Sequence, residues 1–251
     1  MKQIVSILLV AVIGFFIFSA LFFSDETLKF SEYGNVSLES RVSDKFMNKS
    51  VNGDNGEVIF GKSSDLESGS ANMVTSVVVN YRSFDTLGEV TVLFISAFGV
   101  GLLLSGRRKR RALKHEPSFI LKQGARIVFG IMIIFGVYVF VHGHITPGGG
   151  FPGGAIIAAA ILLLYLSDDE FRIKLNAAKA TESIAGSLYV IIGLLGIVLA
   201  GYFLQNFLPT GTVGEVISSG IIPVVYMLIG LKVGSELSSV VDSFLTEEVE
   251  E

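Results

Sequence analysis

Residues 118–142 read SFILKQGARIVFGIMIIFGVYVFVH, and residues 143–154, directly after them, read GHITPGGGFPGG. No charge falls within 127–141. A helix needs about 20 apolar residues to cross roughly 30 Å of hydrocarbon. The first stretch meets that length, with Lys122 and Arg126 near enough to one end to reach back to the surface. The second carries two prolines, and residues 142–154 hold six glycines; these forbid a continuous helix and let backbones approach closely. Apolar residues then resume over 151–167. Two membrane-crossing segments joined by a Gly/Pro break make this an all-α integral membrane helical protein, and the rest of the chain follows from that.

Composition agrees. Of 251 residues, 17% are charged and 51% hydrophobic, with mean hydropathy +0.64, against about 25% charged in a soluble domain. The absence of Cys removes disulfides, iron–sulfur ligation and thiolate chemistry. Further apolar segments at 4–23, 86–105, 183–204 and 216–237 bring the expected count to six transmembrane helices. A cleaved signal peptide is the rival for 4–23. Its apolar region would be roughly 7–15 residues before a small-residue cleavage pattern, whereas this run is longer and ends Leu21-Phe22-Phe23, so a retained helix is expected.

Lys and Arg set the orientation. Six fall within 106–118 and three within 168–182, while 143–150 and 205–215 carry none. Both termini are therefore expected to be cytoplasmic, with one extracytoplasmic loop of about 60 residues, 24–85. The basic stretch 106–118 separates a two-helix unit, 1–105, from a four-helix unit, 119–241, and 242–251 reads as an acidic tail. Asn52-Gly53-Asp54-Asn55-Gly56 is a turn signal inside the outer loop, consistent with a small hairpin or with partial disorder. Small residues recur at helical spacing (Gly186, Gly193 and Ala200; Gly230 and Gly234; Ala97 and Gly101), which suits lateral packing in a larger assembly.

An ionisable group in a membrane helix is costly and so a functional candidate. Arg82, Asp85 and Glu89 stand three and four residues apart, sharing one helix face. Asp85 fits an N-cap with its counter-ion. Glu89, about 6 Å deeper, fits either an interfacial acid or a proton or cation relay, and is expected to face protein. His142 and His144 flank the turn Pro147, Gly148, Gly149, Gly150, Phe151, Gly153 and Gly154. Only 155–166 is continuously apolar beyond it, so the turn is expected to dip inward and border a polar recess holding protonatable imidazoles; a plain structural turn is the other reading. A phosphate loop would require a Lys-Ser/Thr pair that is missing, and a metal site would need a third ligand. Lys232 precedes Glu236 by four residues; counted from Val216 it lies about 24 Å along its helix, near the inner boundary, as a snorkelling ion pair or a buried relay. No Ser-His-acid order and no nucleotide fingerprint occurs.

The run His142-Gly143-His144-Ile145-Thr146-Pro147-Gly148-Gly149-Gly150-Phe151-Pro152-Gly153-Gly154 closely resembles the Gly-His-x-x-Pro-Gly-Gly-Gly-Phe-x-Gly-Gly signature of the MnhB/MrpB family, with the likeness covering roughly 117–241. Those proteins are subunits of multisubunit Mrp-type Na⁺/H⁺ antiporters and of related membrane-bound hydrogenases and sulfur-reducing complexes. Residues 72–104, with Tyr81-Arg82-Ser83-Phe84-Asp85-Thr86-Leu87-Gly88-Glu89, resemble the C-terminal segment of the large MrpA subunit, or the small MbhE-type subunit. The chain departs from that pattern at Asn80, where the family often has an acid.

The resemblance implies a fused subunit of the ion-translocating part of such a complex, in the cell membrane, binding no redox cofactor itself. Its expected partners are other membrane subunits, Na⁺ and H⁺, and lipid, with no nucleic acid. Two rivals stand beside the translocation reading. One is a scaffold subunit whose polar residues only hold helices together. The other is a receptor sensing through 24–80, which the shortness of every cytoplasmic segment disfavours.

Overall fold

In a computed structural model of the chain, the described residues are 8–15, 18, 46, 58–104, 108–110, 117–168 and 170–248. The chain divides into two compact units, Met1–Lys45 and Phe46–Glu251. In the first unit, residues 8–15 are helical and exposed; the rest of the expected crossing at 4–23, and the turn at 52–56, lie outside the described residues.

The second unit holds five helices long and apolar enough to cross a membrane: α1 (Ser83–Leu103), α2 (Phe119–Val141), α3 (Gly150–Ser167), α4 (Leu175–Ala200) and α5 (Ile222–Leu245). The described residues therefore carry five candidate spans, where the full sequence led to an expectation of six. A short helix, Met73–Thr75, capped by the Asn72 side chain, runs into a π-helix, Ser76–Tyr81, and leads to α1. Strand β1 (Arg108–Arg110) pairs antiparallel with β2 (Thr246–Glu248), Arg108 opposite Glu248 and Lys109 opposite Glu247. This small ladder leaves the described residues mostly helical, as the all-α reading expected. It also moves the start of the tail: α5 continues to Leu245, so Asp242 is helical and buried, where an acidic tail was expected from 242.

Three helix boundaries differ from the hydropathy reading, each for a local reason. α5 starts at Ile222 rather than Val216, because Ser219 and Gly220 turn the chain at φ 72° and 61°. Asn206 holds that turn, donating to Ser219 O and accepting the Ile221 N–H, each at 3.1 Å. Pro223 then sits in the first turn, where a missing N–H is harmless. α4 starts at Leu175, eight residues earlier than expected, through the good helix formers Ala177, Ala178 and Ala180. α3 begins at Gly150 and has 18 residues, about 27 Å of rise, because Pro152 occupies its first turn and Gly153 and Gly154 continue the helix.

α5 is central and packs against each of the other four helices. The glycine signature makes its contact with α3 tight. A Cβ on Gly150 would lie 2.5 Å from Ile229 Cβ, and one on Gly154 would lie 2.8 Å from Gly230 O. Toward the α1 N-terminal end, α5 contributes Ile222, Val225, Tyr226, Ile229 and Val233 to an apolar core shared with Val79, Val90, Tyr189 and Leu204.

Candidate functional site

Lys232 stands eleventh in the 24-residue helix α5. The expectation that it lies near a membrane boundary came from starting the helix at Val216; with the start at Ile222 it lies about 15 Å along, close to the helix centre. It is 7% exposed, and Glu236, one turn on, is 0% exposed. Lys232 Nζ pairs with Glu236 Oε1, and Glu236 Oε2 is buried without a hydrogen-bond partner. Nζ lies 4.9 Å from the centroid of the Phe94 ring on α1, a distance suited to a cation–π contact. From α4, Gly186 leaves the space for the lysine stem: a Cβ there would stand 3.5 Å from Lys232 Cδ and Cε. The pair is thus held by three helices.

Sequence reasoning missed two groups next to it. Glu182, assigned to a cytoplasmic loop, lies on α4 one turn before Gly186, and its carboxylate experiences the charges of Lys232 and Lys179; it acts in turn on Glu236. Both Lys179 and Glu182 line a cavity of about 640 Å³ between α1, α4 and α5, with Ser183, Ser239, Ser243 and Phe94. The Ala-rich start of α4 was the signal that these residues are helical.

The other expected site residues separate into distinct places. Arg82 and Asp85 form a 2.5 Å ion pair with side chains 69% and 49% exposed. Arg82 occupies the N-cap position of α1 and Asp85 its first turn, so Asp85 is a dipole-compensating acid and not the cap itself. Asn80, at the family's acid position, donates to Glu67 O at 2.9 Å and helps pin the segment before α1. Burial and the neighbouring Glu67 carboxylate push the Tyr81 hydroxyl up to about 12. Glu89 is exposed on the surface of this chain, not enclosed by its helices as expected.

The two histidines also part company. His144 is 0% exposed; its Nε2 is 3.2 Å from Val216 O, and its own carbonyl accepts the Asn72 N–H. Burial lowers its pKa below the ordinary histidine value, so the ring is neutral near pH 7. His142 is half-buried, stacked on Tyr138 at 4.4 Å between centroids. The turn between them closes on protein: Thr75 Oγ1 and Asn72 Nδ2 donate to Gly143 O at 2.7 and 2.8 Å, and Tyr226 Oη donates to Thr75 Oγ1 at 2.9 Å. At Gly149, φ is 148° and a Cβ would meet the Tyr226 ring at 3.1 Å. The cavity beside Lys232 is lined by neither imidazole. A cluster at the other ends of α2 and α3 joins Lys122 and Arg126 to Asp168 at 2.7 and 3.0 Å; hydrogen bonding from Lys122 holds the Asp168 carboxyl below its usual range. These cations bind a neighbouring helix end instead of simply snorkelling. No group of three or more metal-ligating side chains occurs among the described residues.

A family model described as "Domain related to MnhB subunit of Na+/H+ antiporter" matches residues 120–239, and a model of the MbhE family of MBH subunits matches residues 38–118. A chain in the structure of the membrane-bound sulfane sulfur reductase, an archaeal respiratory membrane complex, is 40% identical at TM-score 0.77, covering 98% of this chain and 99% of that one. A chain of the Mrp complex from Dietzia sp. DQ12-45-1b is 27% identical at TM-score 0.57, covering 71% of this chain and 21% of that one. The B-type subunit of the Na⁺/H⁺ antiporter of Alkalihalophilus pseudofirmus is 39% identical over 85 residues, 33% of this chain and 59% of the relative. The glycine signature that clamps α3 to α5 and the segment leading into α1 thus each have their counterpart, and the chain belongs to the family of MnhB-related membrane subunits, with an MbhE-type segment preceding the MnhB-type one.

Proposed function

We propose that this protein is a membrane subunit of a cation/proton antiporter module, contributing to Na⁺ and H⁺ translocation within a multisubunit assembly of the cell membrane. The observation that carries the reading is the Lys232–Glu236 pair, buried near the middle of the central helix with one carboxylate oxygen unpartnered. A buried ion pair is a poor way to stabilise a helix bundle, and an ionisable pair at membrane depth is what a proton relay requires. The likeness along nearly the whole chain to part of a respiratory complex favours a redox-driven assembly. Residues 1–105 form an MbhE-like unit and 119–241 the MnhB-like unit in this reading, joined by the basic linker. Arg82, Asp85 and Glu89 stand at the outer end of α1, where Glu89 meets another subunit in this reading.

The scaffold reading is favoured by His144, whose burial and backbone contacts fit a strut. One experiment separates the two. The purified complex is reconstituted in vesicles and its ion flux measured with Glu236→Gln. The translocation reading expects a loss of roughly 100-fold, in the range of lost proton-transfer groups, with all subunits retained. Undiminished flux would make the pair part of a scaffold.

A further inference from the structure

We infer that the cavity between α1, α4 and α5 is a one-sided aqueous access path to the Lys232–Glu236 pair, with Glu182 as the group that relays protons between cavity and pair. The inference rests on the translocation reading above and adds a direction and a residue to it.

On α4 and α5 the residues on the two sides of the pair differ in kind, while α1 is apolar along both. Toward the α1 N-terminus stand Val90 on α1, Tyr189 on α4, and Val225 and Ile229 on α5, all 2% exposed or less. Tyr189 Oη donates to Ser83 O at 3.1 Å, which fixes this apolar layer to the start of α1. Toward the α4 N-terminus stand Lys179, Glu182 and Ser183, and, on the C-terminal side of Glu236, Ser239 and Ser243; these line the 640 Å³ cavity. The pair therefore has an apolar seal on one side, and on the other a cavity whose α4 and α5 walls carry polar groups and whose α1 wall, from Phe94 to Leu102, is apolar. The open side is the one that carries the 168–174 loop, expected from its Lys and Arg to be cytoplasmic.

One contact and one electrostatic coupling connect the cavity to the pair. Phe94 lines the cavity and covers Lys232 Nζ, so the lysine head sits directly behind that ring. Glu182 lines the same cavity and interacts electrostatically with both Lys232 and Glu236. In the relay, an O–H bond of a hydronium in the cavity breaks as the proton joins the Glu182 carboxylate. That new O–H then breaks as the proton passes to Oε2 of Glu236, and Lys232 keeps its charge throughout. The reverse order returns the proton to the cavity.

The chain contains no Cys, which allows a direct test in the intact complex. Ser183→Cys and Ser239→Cys are exposed separately to a membrane-impermeant methanethiosulfonate in right-side-out and inverted vesicles, and adducts are read by mass on peptides of this chain. The access path requires both to be modified from the face of the 168–174 loop alone, and Val90→Cys from neither face. No adduct from that face, or adducts from the opposite one, would overturn the path. In the flux assay, Glu182→Gln is expected to lower flux roughly 10-fold or more, and Glu182→Asp, which restores the carboxyl, to recover most of it. Full flux with Glu182→Gln would overturn the relay. If Glu236→Gln abolishes flux while Glu182→Gln does not, only this inference fails; if neither variant matters, the translocation reading fails with it.

Discussion

Tyr165 on α3 donates its hydroxyl to Asp242 Oδ1 on α5 at 2.6 Å, with both side chains buried. The Tyr165 hydroxyl oxygen itself accepts the Ile173 N–H at 3.2 Å, so one phenol fastens two helices and the loop after α3. A hydrogen bond to a charged group contributes about 1.5–3 kcal/mol. Tyr165→Phe is expected to destabilise the subunit by about that amount, measured as a lower denaturant midpoint of the detergent-purified complex. An unchanged midpoint would remove the fastening role.

At Gly154, a methyl group would stand 2.8 Å from both Gly230 O and Val233 Cβ. Backbone cannot swing aside as a side-chain tip does, so α3 and α5 must part. Overpacking of this kind costs about 1–3 kcal/mol. Gly154→Ala is expected to reduce the amount of chain recovered in assembled complex, and Gly154→Leu to abolish assembly; normal recovery of both would show that the interface yields.

His144 links the glycine turn to pH. Its pKa is lowered in the folded chain, so the unfolded chain binds the proton more readily. Its stabilising contribution is present above the unfolded value of about 6.5 and is lost as pH falls from there through the lower folded value. Asp168 works in a separate window: its carboxyl is lowered, and the stability it adds disappears only as pH falls below about 3.9. Amide protection factors across 143–149, taken relative to the intrinsic exchange rate at each pH, are expected to fall between pH 7 and 5, and His144→Gln to flatten that dependence. A dependence that survives the substitution would assign it elsewhere.

Removing Lys232 alone is expected to be worse for stability than removing both members of the central pair. Lys232→Met leaves a buried, uncompensated Glu236 and is expected to cost about 3–5 kcal/mol. Adding Glu236→Gln removes that charge and should restore most of the midpoint while leaving flux abolished. Recovery of flux along with stability would mean that the pair serves packing alone.

The membrane class, the apolar cores of the helices and the special character of residues 142–154 were all legible from hydropathy and from glycine and proline. What hydropathy could not convey was where the chain turns. Residues 216–221 look as apolar as a helix start, but the turn at Ser219 and Gly220 depends on Asn206, a partner many residues away. That shift of the helix start changed the apparent depth of Lys232. Glu182 was lost for the opposite reason: its charged neighbourhood reads as loop, while the Ala-rich backbone there is helical. Glu89 and Glu236 are alike in local sequence character, each a carboxylate in an apolar helix. Only the central position of α5 buries one and leaves the other on the surface.

Where two helices touch through glycine, neither can slide or roll without forcing atoms together. The α3–α5 seam is such a place, and α2 is keyed to it where a Cβ on Gly153 would meet Gly136 O at 2.7 Å. These three helices therefore behave as a stator. α1 and α4, which carry Phe94 and Glu182 into the cavity, have no such glycine seam between them among the described residues. Lys232 and Glu236 sit on α5, so the charged pair is carried by the helix that this seam holds in register.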